Sequence, residues 1–342
     1  MSGLKKNLAA VVLIAVVVCL IGSAVAADAA VKWKWAHYQP VGSMLDKLSK
    51  SMIQEIEEKS GGAISIKLYP AGQLGDWMEV SEQIIRGSVD IGILPVSPSF
   101  DPRIQVRVLP YSVMNWEEAK AAYTGESPYI LEILTGVMKD IGLKALGVVA
   151  EGFGGGGFAS IPDFDMLDPA ADKKGFKMRF TPGNQAWERL VVEMGFIPTP
   201  VPWGELYLAQ QTKLVDCQIG GQPYNTWTSF RDVTKVWVQY NTHFQNSFVY
   251  MNLKEWEKLT PELQKIVQEA CAKYAAESFS LAEGADADYM EKMKQEGIKI
   301  VMPTNEQLQK IATLARTKVW PVMDDVIGKE IMDLMREKSG VK

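Results

Sequence analysis

The chain has 342 residues, 47% of them hydrophobic, with a formal net charge of −5 and two histidines. This mild acidity, with no basic block, excludes nucleic acid and anionic membrane as expected partners. With no C-x-x-C pair and histidines as far apart as His37 and His243, a local zinc motif is excluded too.

Residues 1–26 are expected to be a signal peptide that is cleaved, which places the protein in the periplasm. Lys5 and Lys6 precede an unbroken apolar run of 14 residues, Leu8 to Ile21, and Ala24-Val25-Ala26 supplies small residues for cleavage. The run is shorter than the roughly 20 residues a membrane span needs. Bulky Val18 before Cys19 argues against lipidation. Removing the segment leaves 316 residues and, without its two lysines, a net charge of −7. That length suffices for two domains. Cys217 and Cys271 then remain, and they read as buried thiols with no bond expected between them.

Val31 to Tyr38 reads as a first strand, followed by a helix with Ser43 at its N-cap and Met44, Leu45, Leu48, Met52 and Ile56 on one face. Ala63 to Tyr69 alternates as a second strand. Asp76 and Glu79 form a capping box, Gly87 ends that helix in a left-handed turn, and Val89 to Leu94 is a short buried strand. Ala145–Ala150, Phe176–Phe180, Lys235–Gln239, Phe248–Asn252 and Gly297–Val301 read as further strands. Helices are expected at Gln185–Met194, Gly204–Leu214, Glu262–Glu283 and Glu306–Glu337, the last kinked at Pro321. The pattern is that of an α/β fold with mixed sheets and long C-terminal helices. No low-complexity linker separates the halves, so several segments are expected to cross between two hinged domains. One comprises residues 31–150 with about 244–284, the other about 151–243 with 285–342.

No constellation for catalysis is present: no P-loop, no G-x-S-x-G elbow, and carboxylates that read as solvated helix faces, such as Glu57-Glu58. Gly152-Phe153-Gly154-Gly155-Gly156-Gly157 matches G-x-G-x-x-G, but Ile161-Pro162 follows where a phosphate-binding helix would begin. The run reads instead as a flexible crossover or as backbone close to a ligand. No enzyme activity, cofactor or metal is expected.

Several blocks occur in a fixed order. They include Lys59-Ser60-Gly61-Gly62, Tyr69-Pro70-Ala71-Gly72-Gln73-Leu74-Gly75, Gly87-Ser88-Val89-Asp90, Leu109-Pro110-Tyr111, Lys174-Gly175-Phe176-Lys177-Met178-Arg179, Pro202-Trp203-Gly204-Glu205-Leu206-Tyr207 and Met251-Asn252-Leu253-Lys254. In these the chain resembles the DctP-type solute-binding proteins of tripartite ATP-independent periplasmic (TRAP) transporters over nearly all its length. The resemblance implies a two-domain periplasmic-binding-protein (Venus-flytrap) fold. It implies a receptor that closes on an organic anion and delivers it to membrane permease subunits. A secreted α/β enzyme or a ligand-presenting sensor module is the alternative.

The resemblance makes Arg179 the carboxylate anchor, a role that suits the planar donor fork of a guanidinium. It sets Trp203 against the ligand's body and brings His37 and Tyr38 to the cleft at the end of the first strand. Two departures stand out: Gly154 where many members carry a second arginine, and Gly220 ending an altered Asp216-Cys217-Gln218-Ile219 block. Both are expected to leave extra room, favouring a bulky or aromatic monocarboxylate walled by Phe153, Trp203, Tyr224 and Trp227, with other aliphatic carboxylates, 2-oxo acids and a small sulfonate left open.

Overall fold

The computed structural model describes residues 30–341, so the expected signal segment lies outside the described residues. The strands are β1 (Val31–His37), β2 (Ile64–Tyr69), β3 (Ile91–Leu94), β4 (Leu143–Phe153), β5 (Gly156–Phe158), β6 (Lys177–Phe180), β7 (Ile197–Pro200), β8 (Cys217–Ile219), β9 (Val236–Val238), β10 (Phe244–Asn252) and β11 (Lys299–Val301). They form two mixed sheets, ordered β2-β1-β3-β10-β4 and β11-β9-β5-β8-β6-β7. In the first, β1 runs parallel to β2 and β3, while β10 is antiparallel to β3 and β4. In the second, β6 is parallel to β7 and β8, and β5 is antiparallel to β8 and β9.

Local chemistry sets the early elements. Ser43 Oγ accepts from the Asp46 amide to start the helix Met44–Lys59, and Asp76 and Glu79 close a reciprocal capping box. Gly87 ends that second helix at φ 77°, a left-handed turn that glycine adopts without strain. In β1, Trp33 and Trp35 are buried against the first helix while Lys32 and Lys34 face water; toward His37 the alternation stops because both faces are covered.

Two strand connections pass between the sheets side by side. The Gly154 amide donates to the His243 carbonyl (3.0 Å) and the Thr242 amide to the Gly154 carbonyl (3.1 Å). A third crossing is the helix Pro261–Gln295, far longer than the Glu262–Glu283 expected. It lies along the outer edge of β4 and bonds its unpaired groups: Gln268 donates to the Leu146 carbonyl, while Ser278 and Asp286 accept from the Ala150 and Phe153 amides. Covering an edge strand in this way satisfies backbone groups that would otherwise be left bare.

Three readings are corrected. The glycine run is a crossover only in part: Gly154 and Gly155 pass between the sheets, while Gly156 and Gly157 form β5 in mid-sheet, between β8 and β9. The expected Glu306–Glu337 helix is three helices, Asn305–Lys318, Trp320–Ile327 and Lys329–Lys338, broken beside Pro321 and again at Gly328 (φ 103°). Glu57 is no idle surface charge, because its carboxylate accepts from the Ile66 amide at 2.7 Å. The C-terminal helices touch both parts of the chain: Trp320 Nε1 donates to the Pro110 carbonyl (2.8 Å) and Arg316 to that of Tyr111, while Asn305–Lys318 also packs on the helix Gln185–Glu193. Among the described residues no helix is long and apolar enough to cross a membrane.

Candidate functional site

The site begins where β6 and β8 run side by side and pair Arg179 with Gln218. The Arg179 side chain is fully buried. Its Nε donates to the Val201 carbonyl (2.8 Å) and Nη1 to that of Ile219 (3.2 Å), but Nη2 is buried without a partner. Burial alone pushes its pKa down to about 9, so it remains charged at neutral pH. Trp203, in a half-buried turn, places its ring 5.4 Å from the guanidinium carbon and packs edge-on against Phe230.

Gly220 has φ 120°, and a Cβ there would meet the Trp187 ring at 2.5 Å and Arg179 Nη1 at 3.3 Å. Trp187, which the sequence did not single out, therefore fills the space expected to be free. Its Nε1 donates to the Val108 carbonyl at 3.0 Å. The indole thus reaches from the Arg179 pocket to the residue beside Arg107. Gly154 is equally crowded, since any Cβ would collide with the His243 ring. His243 is buried, and burial lowers its pKa to about 3, so it is neutral. The expectation of extra room at Gly154 and Gly220 is therefore corrected: protein side chains occupy both places.

A second polar group is built mostly on the first sheet. The Glu151 carboxylate accepts from Tyr38 Oη (2.9 Å), from the amides of Gln39 and Gln222 (3.3 Å each) and from the Ser247 hydroxyl. Gln222 follows β8, so this carboxylate joins residues from both sheets. Arg107 is also buried: Nη1 donates to the Asn246 carbonyl at 2.6 Å, and Nε is buried without a partner. An open cavity of about 800 Å³ adjoins this cluster; Tyr224, Trp227, Glu151 and Gln222 line it, whereas Arg179 and Trp203 do not.

Arg179, Trp203 and Gly220 thus lie together, and Tyr38 joins the polar cluster around Glu151. Tyr224 and Trp227 belong to the adjoining cavity. Phe153 is no ligand wall: it is core, packed edge-on against Trp116 and Phe244. His37 turns Nε2 toward Asp46 (3.3 Å); burial lowers its pKa while Asp46 opposes the shift. Of the residues sequence reasoning missed, Arg107 carried a signal, an arginine set within Ile104 to Leu109, where all six residues are buried. Glu151 sat one residue before a glycine that was weighed.

The sequence profile of the bacterial extracellular solute-binding proteins, family 7 (DctP), matches residues 35–324. The chain belongs to this family. It is 25% identical over 321 residues to the sialic acid-binding periplasmic protein SiaP of Vibrio cholerae, covering 93% of this chain and 96% of that one. Two solved TRAP solute-binding proteins share the fold. One, from Desulfovibrio salexigens with bound orotic acid, has a TM-score of 0.80 at 18% identity, with coverage of 90% and 98%. The other, from Shewanella oneidensis with bound succinate, has a TM-score of 0.79 at 19% identity, with coverage of 91% and 100%. The DctP-family chain is a solute receptor and not an enzyme.

Proposed function

We propose that this receptor binds an organic acid between its two sheets in the periplasm and hands it to the permease subunits of a TRAP transporter. The observation that carries the reading is Arg179, a desolvated cation whose Nη2 has no partner. A buried charge without a counter-charge is costly, and an incoming carboxylate would relieve it. The solutes named for the relatives (sialic acid, orotic acid and succinate) all carry a carboxyl group.

The argument for a bulky or aromatic solute falls once Trp187 and His243 occupy the expected space. Closure would bring the part holding residues 31–150 and about 244–284 against the part holding about 151–243, hinged at the crossings near Gly154 and His243. The adjoining cavity beside Tyr224 and Trp227 would then be the approach to the site. Thermal-shift assays of the mature protein against carboxylates, sulfonates and neutral sugars test the reading. A ligand at ~100 times its Kd adds ~2.7 kcal/mol. A response confined to acids and lost in Arg179→Lys supports it; a response to sugars alone overturns it. Loss of uptake on deleting the gene separates transport from presentation to a sensor.

A further inference from the structure

Resting on the reading of Arg179 as the carboxylate anchor, we infer that Trp187 sets the size of the acid that the anchor accepts. The guanidinium leaves a solute little choice of approach. Its Nε is held by the Val201 carbonyl and Nη1 by that of Ile219, and the Trp203 ring lies 5.4 Å from the central carbon. The nitrogen without a partner is Nη2, on the same carbon as Nη1. A carboxylate bound there must carry the rest of its solute past the groups that crowd the guanidinium.

Trp187 is one of those groups. A Cβ on Gly220 would stand 2.5 Å from the indole and 3.3 Å from Arg179 Nη1, so ring and guanidinium share the space over one glycine. At the next residue, a Cβ on Gly221 would stand 3.2 Å from the Trp203 ring. The two glycines after β8 thus each admit one indole beside the anchor. The two rings differ in freedom. Trp203 is half-buried in a short turn, whereas Trp187 is 4% exposed and held in place. The His243 ring backs it, with centroids 4.5 Å apart. His243 is itself fixed at both ring nitrogens, Nδ1 lying 3.0 Å from the Thr242 hydroxyl and Nε2 3.3 Å from the Gln245 carbonyl oxygen.

The indole is also a tie. Trp187 belongs to the helix Gln185–Glu193, which packs on β6 and β7, and its Nε1 donates to the Val108 carbonyl at 3.0 Å. Val108 ends the segment Pro102–Val108, which packs on β10 of the first sheet. An acid long enough to displace the ring therefore breaks a bond between elements built on the two sheets and takes the donor from a buried carbonyl. Stranding a buried polar group costs more than the bond itself contributes. A short acid leaves the bond intact, so Trp187 discriminates by length more steeply than an apolar wall that yields freely.

The test is titration calorimetry with acetate, butyrate and hexanoate and their 2-hydroxy counterparts, read as the ratio of hexanoate to butyrate affinity. The parent is expected to favour butyrate. Trp187→Leu keeps an apolar residue but removes the ring, and is expected to move the ratio toward hexanoate by on the order of tenfold. Trp187→Phe should move it less. Trp320→Phe is the control: Trp320 is equally buried and its Nε1 donates to the Pro110 carbonyl at 2.8 Å, but it belongs to the C-terminal helices. It should lower the melting temperature and leave the ratio where it was. Should Trp187→Leu fail to fold, Trp187→Phe and the parent's own preference decide.

A ratio unchanged in the Trp187 variants, a ratio moved as far by Trp320→Phe, or a parent that prefers hexanoate overturns this inference alone, provided binding is lost in Arg179→Met. Binding of none of the acids, or binding that survives Arg179→Met, overturns the proposed function and this inference with it.

Discussion

Replacing Arg179 by methionine separates binding from stability. Burial lowers the Arg179 pKa to about 9, a fall worth about 5 kcal/mol of lost solvation. Its bonds to the Val201 and Ile219 carbonyls return about 1.5–3 kcal/mol each, as bonds from charged donors do. The two contributions nearly cancel. Arg179→Met, of similar length and uncharged, should therefore unfold within about 2 kcal/mol of the parent, a few degrees in melting temperature. Binding behaves differently, because a solute carboxylate left in the closed site without its partner loses about 3–5 kcal/mol. Affinity should fall by a few hundred- to a few thousand-fold. Differential scanning calorimetry without solute, paired with titration calorimetry of the best acid, measures both quantities. A melting point lowered by ten degrees or more would make Arg179 chiefly a structural tie and refute the reasoning. So would a variant that melts normally and still binds.

Asp286 gives a pH signature. Its folded pKa, raised to about 7 by burial, lies above the unfolded value, so its contribution is complete below about pH 4 and is lost as pH rises through 7. Asp286→Asn should match the parent near pH 3 and exceed it increasingly up to pH 8, with a ceiling of about 4 kcal/mol; denaturant melts at the two pH values would show a constant difference if this is wrong. Gly154→Ala should cost about 1–3 kcal/mol through its collision with His243, and trimming the ring in His243→Ala should remove most of that cost in a double-mutant cycle. Cys217 and Cys271 are buried, unpaired thiols with pKa values pushed up by burial, so neither should react with a thiol reagent before unfolding, and reductant should leave the melting temperature unchanged.

Where local chemistry decides, the sequence was legible. The Ser43 cap, the Asp76–Glu79 box and the Gly87 turn appear as their residues require, and β1, β2 and β6 fall within a residue of expectation. Tertiary neighbours defeated it elsewhere. Nothing within Gly152–Gly157 says that His243 and Trp237 will press on Gly154 and Gly155 from ninety residues away in sequence, so glycines demanded by crowding were read as glycines providing space. The short strands β7 and β8 lack alternation of their own and take their pairing from β6. At the site, Arg179 and Trp203 were found through blocks the family shares. Arg107 and Glu151 went unremarked because their meaning is a matter of burial and opposite sign, which only folding creates.

The strand order of the first sheet also governs when the protein can fold. β10 lies between β3 and β4, yet it follows β4 in the chain by ninety residues. Until residues 244–252 arrive, β3 and β4 each present a bare inner edge, and the outer edge of β4 waits still longer for the helix that covers it. The N-terminal half is therefore no independent folding unit. Assembly proceeds through long-range closure, which is slow, and the incomplete sheet is the stage at which the chain is most exposed to pairing with another copy of itself.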